Sequence, residues 1–265
     1  RRPDGFHDIL SVFQTVDLCD TLHIGRDGAE RLICSHPDVP ADAGNLVLRA
    51  EETFCARFKI EDRLRFALDK RIPVGGGLGG GSSDAAAALR GLAAFTAFMN
   101  DEALLGIAAE LGSDIPFLVH GGAAVITGRG EIVREVAWPF DFTYVLVYPG
   151  FGVSTAWAYR SLERFGGGAH RYREMTVRLL AGAATADELF DVMVNDFEPI
   201  VFRQYPALSG IRDTLLGCGA RTALLTGSGS TILGVFDDAG KASACAGKLE
   251  DGGFEAHIAR HFERM

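Results

Sequence analysis

Two domains of mixed α+β character are predicted by three features of this chain. Its 265 residues, 48% hydrophobic and 23% charged, have the composition of an ordinary globular protein, long enough for one large or two modest cores. Arg63–Asp69 alternates, with Leu64, Phe66 and Leu68 on one face, and leads through a glycine-rich loop into an alanine-rich helix. From Thr143 onward the chain reads strand, helices, strand, strand, helix, strand, the order of a ferredoxin-like domain. The boundary is placed between residues 139 and 140, just after Trp138-Pro139.

The elements follow in order. Asp20–Ile24 and Arg31–Cys34 read as short strands, and Asn45–Phe58 as an amphipathic helix. The helix after the glycine loop is expected from about Ser83 to Met99. Asn100 and Asp101 cap the next one, whose Leu104, Ile107, Ala108 and Leu111 form a buried stripe that Gly112 ends. Pro116 restricts Ile115 and is expected to keep Asp114 in a loop beyond that helix. Ala123–Thr127 and Glu131–Val136 form a hairpin through Gly128-Arg129-Gly130. In the second half, strands are expected at Thr143–Tyr148, Thr222–Thr226, Thr231–Phe236 and Phe254–Ala259. Helices are expected from Ser154 or Thr155, at Asp187–Val194, Ser209–Leu216 and Ala239–Glu250, with Gly166–Gly168 marking a surface loop.

The most informative stretch is Pro73–Leu89, PVGGGLGGGSSDAAAAL. Gly75, Gly76, Gly77, Gly79, Gly80 and Gly81, with Leu78 among them, lack the Cβ atoms that would keep backbone amides away from a ligand. Ser82 and Ser83 stand near the helix start, where unpaired N–H groups and the positive end of the dipole converge. This is the make-up of a phosphate site. A Walker loop would need Gly-Lys-Ser/Thr, and here Gly81 is followed by Ser82 and Ser83. A dinucleotide fingerprint would need an acid about 20 residues on, and the helix after Asp84 supplies none. A flexible linker would lack the bounding strand and helix.

Other motifs are weaker alone. Thr226–Ser230, TGSGS, lies between two apolar strands, and on local grounds an ordinary hairpin turn is the better reading. Asp114 by itself is a turn carboxylate, and His7 in PDGFH a solvated loop histidine. Together, RRPDGFH at 1–7, NLVLRA at 45–50, the glycine loop, GSDIPF at 112–117, NDFEP at 195–199 and TGSGST at 226–231 make an ordered set. In that order they resemble the GHMP kinases, which include galactose, homoserine, mevalonate and phosphomevalonate kinases. The likeness covers nearly the whole chain, and GGGSSDAA is the form typical of the branch that acts on an erythritol derivative.

The resemblance implies a two-domain GHMP kinase fold, with an N-terminal ribosomal-protein-S5-like ATP-binding domain and a C-terminal ferredoxin-like domain. It implies ATP-dependent phosphorylation of an alcohol, the 2-hydroxyl of a cytidine-diphosphate derivative of methylerythritol, with another small-molecule acceptor or a catalytically weakened nucleotide-binding module as alternatives. Asp114 matches the catalytic aspartate that orients the attacking hydroxyl and so also touches substrate. Phe6 and His7 match a segment that holds the cytidine end, and Gly227 and Ser228 fall in a further substrate-binding segment. Pro73, the glycine loop through Ser83, and Asn45 near the adenine or ribose would hold ATP. Mg2+ is implied, with Ser82 or Ser83 as the protein's ligand. Trp157 and Tyr159 stand where the family carries aromatics near the base, though core packing suits them equally. The family also has a strand before the DGFH segment, carrying a lysine beside the aspartate; this sequence opens after that point, so an upstream segment is expected.

A net charge of −9 gives no cationic field for nucleic acid or an anionic membrane, so any anionic ligand must be held locally. Five cysteines, Cys19, Cys34, Cys55, Cys218 and Cys245, lack a CxxC pair, which argues against a disulfide framework and for a reducing cytoplasm. No apolar run approaches the roughly 18 residues of a membrane span. The expectation is a cytoplasmic monomer or weak homodimer whose partners are small molecules.

Overall fold

The computed structural model describes residues 2–3, 5–98, 100–162, 176, 178–182 and 184–262; the Gly166–Gly168 loop expected from sequence lies outside them. Strands β2 (Thr21–Gly25), β3 (Leu32–Cys34) and β4 (Arg65–Asp69) form one sheet in the order β2-β4-β3, with β2 antiparallel and β3 parallel to β4. Behind it lie α1 (Leu46–Phe58) and α2 (Gly80–Phe95). Asn45 caps α1 by accepting from Val47 N, and Lys59 ends it in the left-handed region. Ala85, Ala86, Ala88 and Leu89 of α2 are buried in the same core as Val47, Ala50 and Phe54 of α1, and the alanines let the two helices pack closely.

The helix α2 begins and ends earlier than expected. Gly79, at φ 70°, turns the chain into a helix that starts at Gly80, so Ser82 and Ser83 sit inside the first turn; the helix stops at Phe95, before the left-handed Ala97. The next helix, α3 (Asp101–Leu111), is capped by Asn100 as expected. A short helix, α4 (Ile115–His120), replaces the expected loop: Pro116 falls in its first turn, where a missing N–H costs nothing, and Asp114 is its N-cap residue.

A second sheet has the order β1-β5-β6, from β1 (Ser11–Gln14), β5 (Ala123–Thr127) and β6 (Ile132–Glu135), all antiparallel. The strand β1 has no counterpart among the expected elements, because SVFQ shows no clear alternation and is half-buried throughout.

The remaining strands, β7 (Thr143–Tyr148), β8 (Thr222–Leu225), β9 (Ile232–Phe236) and β10 (Glu255–Arg260), form an antiparallel sheet in the order β10-β7-β9-β8, the ferredoxin-like arrangement read from sequence. The intervening helices are α5 (Thr155–Leu162), α6 (Ala186–Phe190), α7 (Glu198–Gln204), α8 (Pro206–Gly217) and α9 (Ala239–Asp251). Of these, α7 is additional to the expected set, α6 stops short of Val194, and α8 starts at Pro206 rather than Ser209.

The strand β7 joins two cores by its period of two. Val145 and Val147 pack with α8 and α9, while Tyr144 and Leu146 share a cluster with Ala123, Val125 and Trp138. The β1-β5-β6 sheet is therefore cemented to the C-terminal sheet by apolar packing. The contact is extended by Thr15 Oγ1, which donates to Phe262 O at 2.6 Å, and by the bridge between Val16 and His261. This continuity fixes loops from both halves of the chain against each other.

Candidate active site

The Pro73–Gly79 loop joins the end of β4 to the N-terminus of α2. Among the described residues, the amides from Gly77 through Ser82 donate to no protein acceptor, while Ser83 N returns to Gly79 O at 2.8 Å. Six consecutive free donors at the positive end of a 16-residue helix make a concentrated anion site. No two-domain contact is needed to form that array, but one holds it in place. A Cβ at Gly77 would stand 2.7 Å from Thr226 O and 2.8 Å from Gly229 O, at a φ of +77°. Only glycine fits there. Thr231 N also donates to Gly76 O at 3.0 Å, and Tyr148 Oη to Val74 O at 3.1 Å.

The TGSGS segment is thus more than a hairpin turn: its carbonyls form the wall against which the first glycine loop lies. Gly227 and Ser228 are brought to that wall, Ser228 nearly buried and its hydroxyl 2.8 Å from Thr155 Oγ1. Nothing local in residues 226–230 announces the contact, which spans about half the chain.

Asp114 flanks the loop's other end. A Cβ at Gly79 would lie 3.9 Å from Asp114 Oδ2 and 3.7 Å from Leu118 Cδ1. The aspartate is half-buried, and its side chain makes no capping bond to α4, which leaves the carboxylate available. Its position is set by α4, itself tied to α2 by Arg90, which donates to Leu118 O at 2.8 Å.

From Asp114 the surface continues to the N-terminal segment. Ser113 packs under the turn between β5 and β6, 3.0 Å from where a Cβ on Gly130 would sit. Arg129, in that turn, holds its guanidinium 4.9 Å from the Phe6 ring centroid, within cation–π range. His7 stacks on Tyr159 at 4.9 Å and 23°. Of the two aromatics on α5, Tyr159 therefore faces the N-terminal segment, whereas Trp157 packs edge-on to Tyr205 in the C-terminal core. Arg129 is a candidate that the sequence does not single out; its only signal is a cation at the tip of a hairpin.

Asn45 lies beside the cradle, since a Cβ on Gly81 would touch Leu46 Cδ1 at 3.8 Å. Its amide is occupied, accepting from Val47 N at 2.9 Å and donating to Pro40 O at 2.7 Å. The side chain shapes the turn rather than reaching outward. Among the described residues no group of three or more His, Cys, Asp or Glu is placed to hold a metal ion. Ser82 and Ser83 are half-buried at the mouth of the cradle.

An ion cluster that sequence reading does not reveal anchors the loop from below. Lys70 Nζ lies 2.8 Å from Asp84 Oδ2 and also bonds Asp20 Oδ2, with all three side chains nearly buried. Asp20 Oδ1 accepts from the amides of Arg71 at 2.6 Å and Ile72 at 2.9 Å. One ammonium therefore ties the strand entering the loop to the helix leaving it. Burial disfavours the charge on Lys70, but hydrogen bonds to Asp20 and Asp84 hold its pKa above the ordinary lysine value. Burial pushes the Asp84 carboxyl up to about 6, with Lys70 opposing.

The family profiles for the GHMP kinases N terminal domain and GHMP kinases C terminal match residues 45–122 and 178–253. The 4-diphosphocytidyl-2-C-methyl-D-erythritol kinase of a Geobacter species is 36% identical over 253 residues, covering 94% of this chain and 88% of that protein. The protein of the same name from Gloeobacter violaceus is 37% identical over 267 residues, covering 98% and 88%. A crystal structure of 4-(cytidine 5'-diphospho)-2C-methyl-D-erythritol kinase superposes with a TM-score of 0.78 at 31% identity, over 98% of this chain and 92% of the other. Homoserine kinase from Cytophaga hutchinsonii, at 17% identity and a TM-score of 0.75, shares the fold. With both profiles matched and relatives above 30% identity along nearly its whole length, the chain belongs to the GHMP kinase family, in its 4-diphosphocytidyl-2-C-methyl-D-erythritol kinase branch.

Proposed function

We infer that this chain transfers the γ-phosphoryl group of ATP to the 2-hydroxyl of 4-diphosphocytidyl-2-C-methyl-D-erythritol, a step of non-mevalonate isoprenoid synthesis. The observation that carries it is the Asp114 carboxylate, 3.9 Å from a Cβ position on Gly79, at the edge of a cradle of free amides. Phosphoryl transfer asks mainly for positioning and charge stabilisation. The amides of residues 77–82 would hold the triphosphate, and Asp114 would orient the attacking hydroxyl and take its proton as the new P–O bond forms in line with departing ADP. A carboxylate is a weak base toward an alcohol, so the proton would move late, once attack has made the oxygen acidic.

The cytidine end is assigned to the surface formed by Phe6, His7, Tyr159 and Arg129. Imidazole can donate and accept together, as reading a pyrimidine edge requires, and Arg129, paired with Glu131 at 3.8 Å, offers further guanidinium donors. Gly227 and Ser228 are assigned to the substrate's middle portion. Magnesium fits as an ion that arrives on the nucleotide: with no preformed acidic cage among the described residues, the protein's share would be a Ser82 or Ser83 hydroxyl, and the ion would neutralise β- and γ-phosphate oxygens. No helix among the described residues is long and apolar enough to cross a membrane. We place the protein in the cytoplasm as a monomer or weak homodimer, with the domain division at residues 139 and 140.

A steady-state assay with ATP and this alcohol tests the reading. Asp114→Asn should lower kcat by roughly 10²–10⁴-fold while leaving ATP affinity unchanged. Turnover of homoserine or mevalonate in place of the cytidylyl substrate would overturn the acceptor. Indifference to Asp114→Asn would reduce the chain to a nucleotide-binding module.

A further inference from the structure

The NDFEP stretch at 195–199 stands out in the sequence but has no place in the chemistry above. Its structure gives it one. Asn195 Nδ2 donates to Leu225 O at 2.8 Å and to Gly227 O at 2.7 Å, and Oδ1 accepts from Phe197 N at 2.9 Å. Both amide hydrogens and the amide oxygen are engaged. Three residues on, Glu198 Oε1 accepts from Leu225 N at 2.8 Å. Two side chains of one motif thus grip the strand end and the first residues of the TGSGS turn.

That turn is the wall of the cradle. Thr226 O and Gly229 O close on Gly77, Gly227 lies 3.2 Å (Cβ position) from Gly77 O, and Thr231 N bonds Gly76 O. Within the turn, Gly229 N returns to Thr226 O at 2.8 Å, so its carbonyl geometry depends on where Gly227 is held. A free-amide array binds an anion well only when its donors are already aimed, because any reordering on binding subtracts from affinity.

We propose that Asn195 is a positioning residue for nucleotide binding: by holding the carbonyls of Leu225 and Gly227 it fixes the TGSGS turn, and the turn fixes the triphosphate cradle. The proposal rests on the cradle being an ATP site, and it adds a residue whose side-chain amide is engaged entirely by protein groups.

Asparagine suits the task because it offers two donors and an acceptor without charge. The substitution Asn195→Asp would set a carboxylate against two carbonyl oxygens, and protonation would restore a single donor. The test is calorimetric binding of a non-hydrolysable ATP analogue to the wild type, Asn195→Asp and Asn195→Ala, with KM for ATP measured alongside. Both variants should bind the analogue roughly tenfold more weakly, as expected for the loss of two hydrogen bonds. Asn195→Asp should recover toward the wild type as pH falls from 7 toward the carboxylate range near 4, and Asn195→Ala should not. Asn195 is only half-buried, so Asn195→Ala should remain folded and carries the test if the aspartate variant does not fold. Analogue affinity within twofold of the wild type in a folded variant would overturn the proposal. Wild-type protein that binds the analogue but phosphorylates no alcohol would instead overturn the function given above and leave this inference standing.

Discussion

The two glycine loops look alike in sequence and do opposite things. In the first, residues 75–81, Gly76 N donates to Pro73 O, and six amides in a row from residue 77 to 82 have no protein acceptor among the described residues. The second, residues 226–230, turns carbonyls toward the first and supplies its backing. Their anchors differ as well. The first is held at both ends by a buried ammonium between two carboxylates, Lys70 with Asp20 and Asp84. The second is held by a neutral amide and a lone carboxyl, Asn195 and Glu198. Glycine therefore serves close backbone packing where the two loops meet, at Gly77 and Gly229, while the first loop also leaves a run of amides open, and only that openness is suggested by local composition.

The anchors give the largest contrast. Lys70→Met would leave Asp20 and Asp84 facing each other in the core without their cation, at a cost of about 3–5 kcal/mol, read as a lowered urea midpoint. Asp20 would keep its bonds from Arg71 and Ile72, so the strand end should stay in place while the helix start loosens. A variant that also carries Asp84→Leu should recover most of the loss, since removing a carboxylate with its partner removes the uncompensated charge. Loss of about 1 kcal/mol or less in Lys70→Met would show that the two loops are anchored alike.

Within the first loop, neighbouring glycines should separate by environment. Gly77→Ala meets two carbonyl oxygens below 3 Å at a positive φ, where strain alone costs about 1–3 kcal/mol. ATP affinity should fall by about tenfold or more. Gly81→Ala meets only Leu46 Cδ1 at 3.8 Å, in a helical turn where alanine is favoured by about 1 kcal/mol, and should bind ATP as the wild type does while unfolding at a higher urea concentration. Equal effects of the two substitutions would mean that the loop needs flexibility throughout rather than a fitted wall at Gly77.

What can be read from the sequence divides along the same line. The strand, glycine run and alanine helix around the first loop are adjacent in the chain, so periodicity and punctuation expose them, and the ferredoxin-like order is likewise a matter of sequence. Resemblance places Tyr159 near the base with core packing at least as good a reading, and its ring lies between the two, stacked on His7 and edge-on to Phe197. Asp114 is legible as a candidate through the resemblance, but its local setting is not: Pro116 suits a first helical turn as well as a loop, and tertiary packing against α2 chooses the helix. The Lys70 cluster joins residues 14 and 50 positions apart, and Asn195 reaches 30 and 32 positions to its carbonyls. Charged and polar side chains carry no period, and their pairing appears only when the fold brings them together.

The smallest effect concerns the second loop's carboxyl. Burial raises the Glu198 pKa above 4.5, opposed by the hydrogen bond from Leu225 N and by the charge of Arg212. A carboxyl with a raised folded pKa binds a proton more readily when folded, so its contribution is most favourable below about pH 4.5 and is lost as pH climbs through the folded value. At neutral pH the ionised group is held in a site that disfavours its charge, yet it acts there only as an acceptor for Leu225 N, which a neutral amide oxygen can replace. Glu198→Gln should therefore be at least as stable as the wild type at pH 7, by on the order of 1 kcal/mol or less, and should lose that advantage near pH 4. Paired urea titrations at the two pH values read the difference directly. A variant that is less stable at pH 7 than at pH 4, relative to the wild type, would show that the second loop, like the first, depends on a charge.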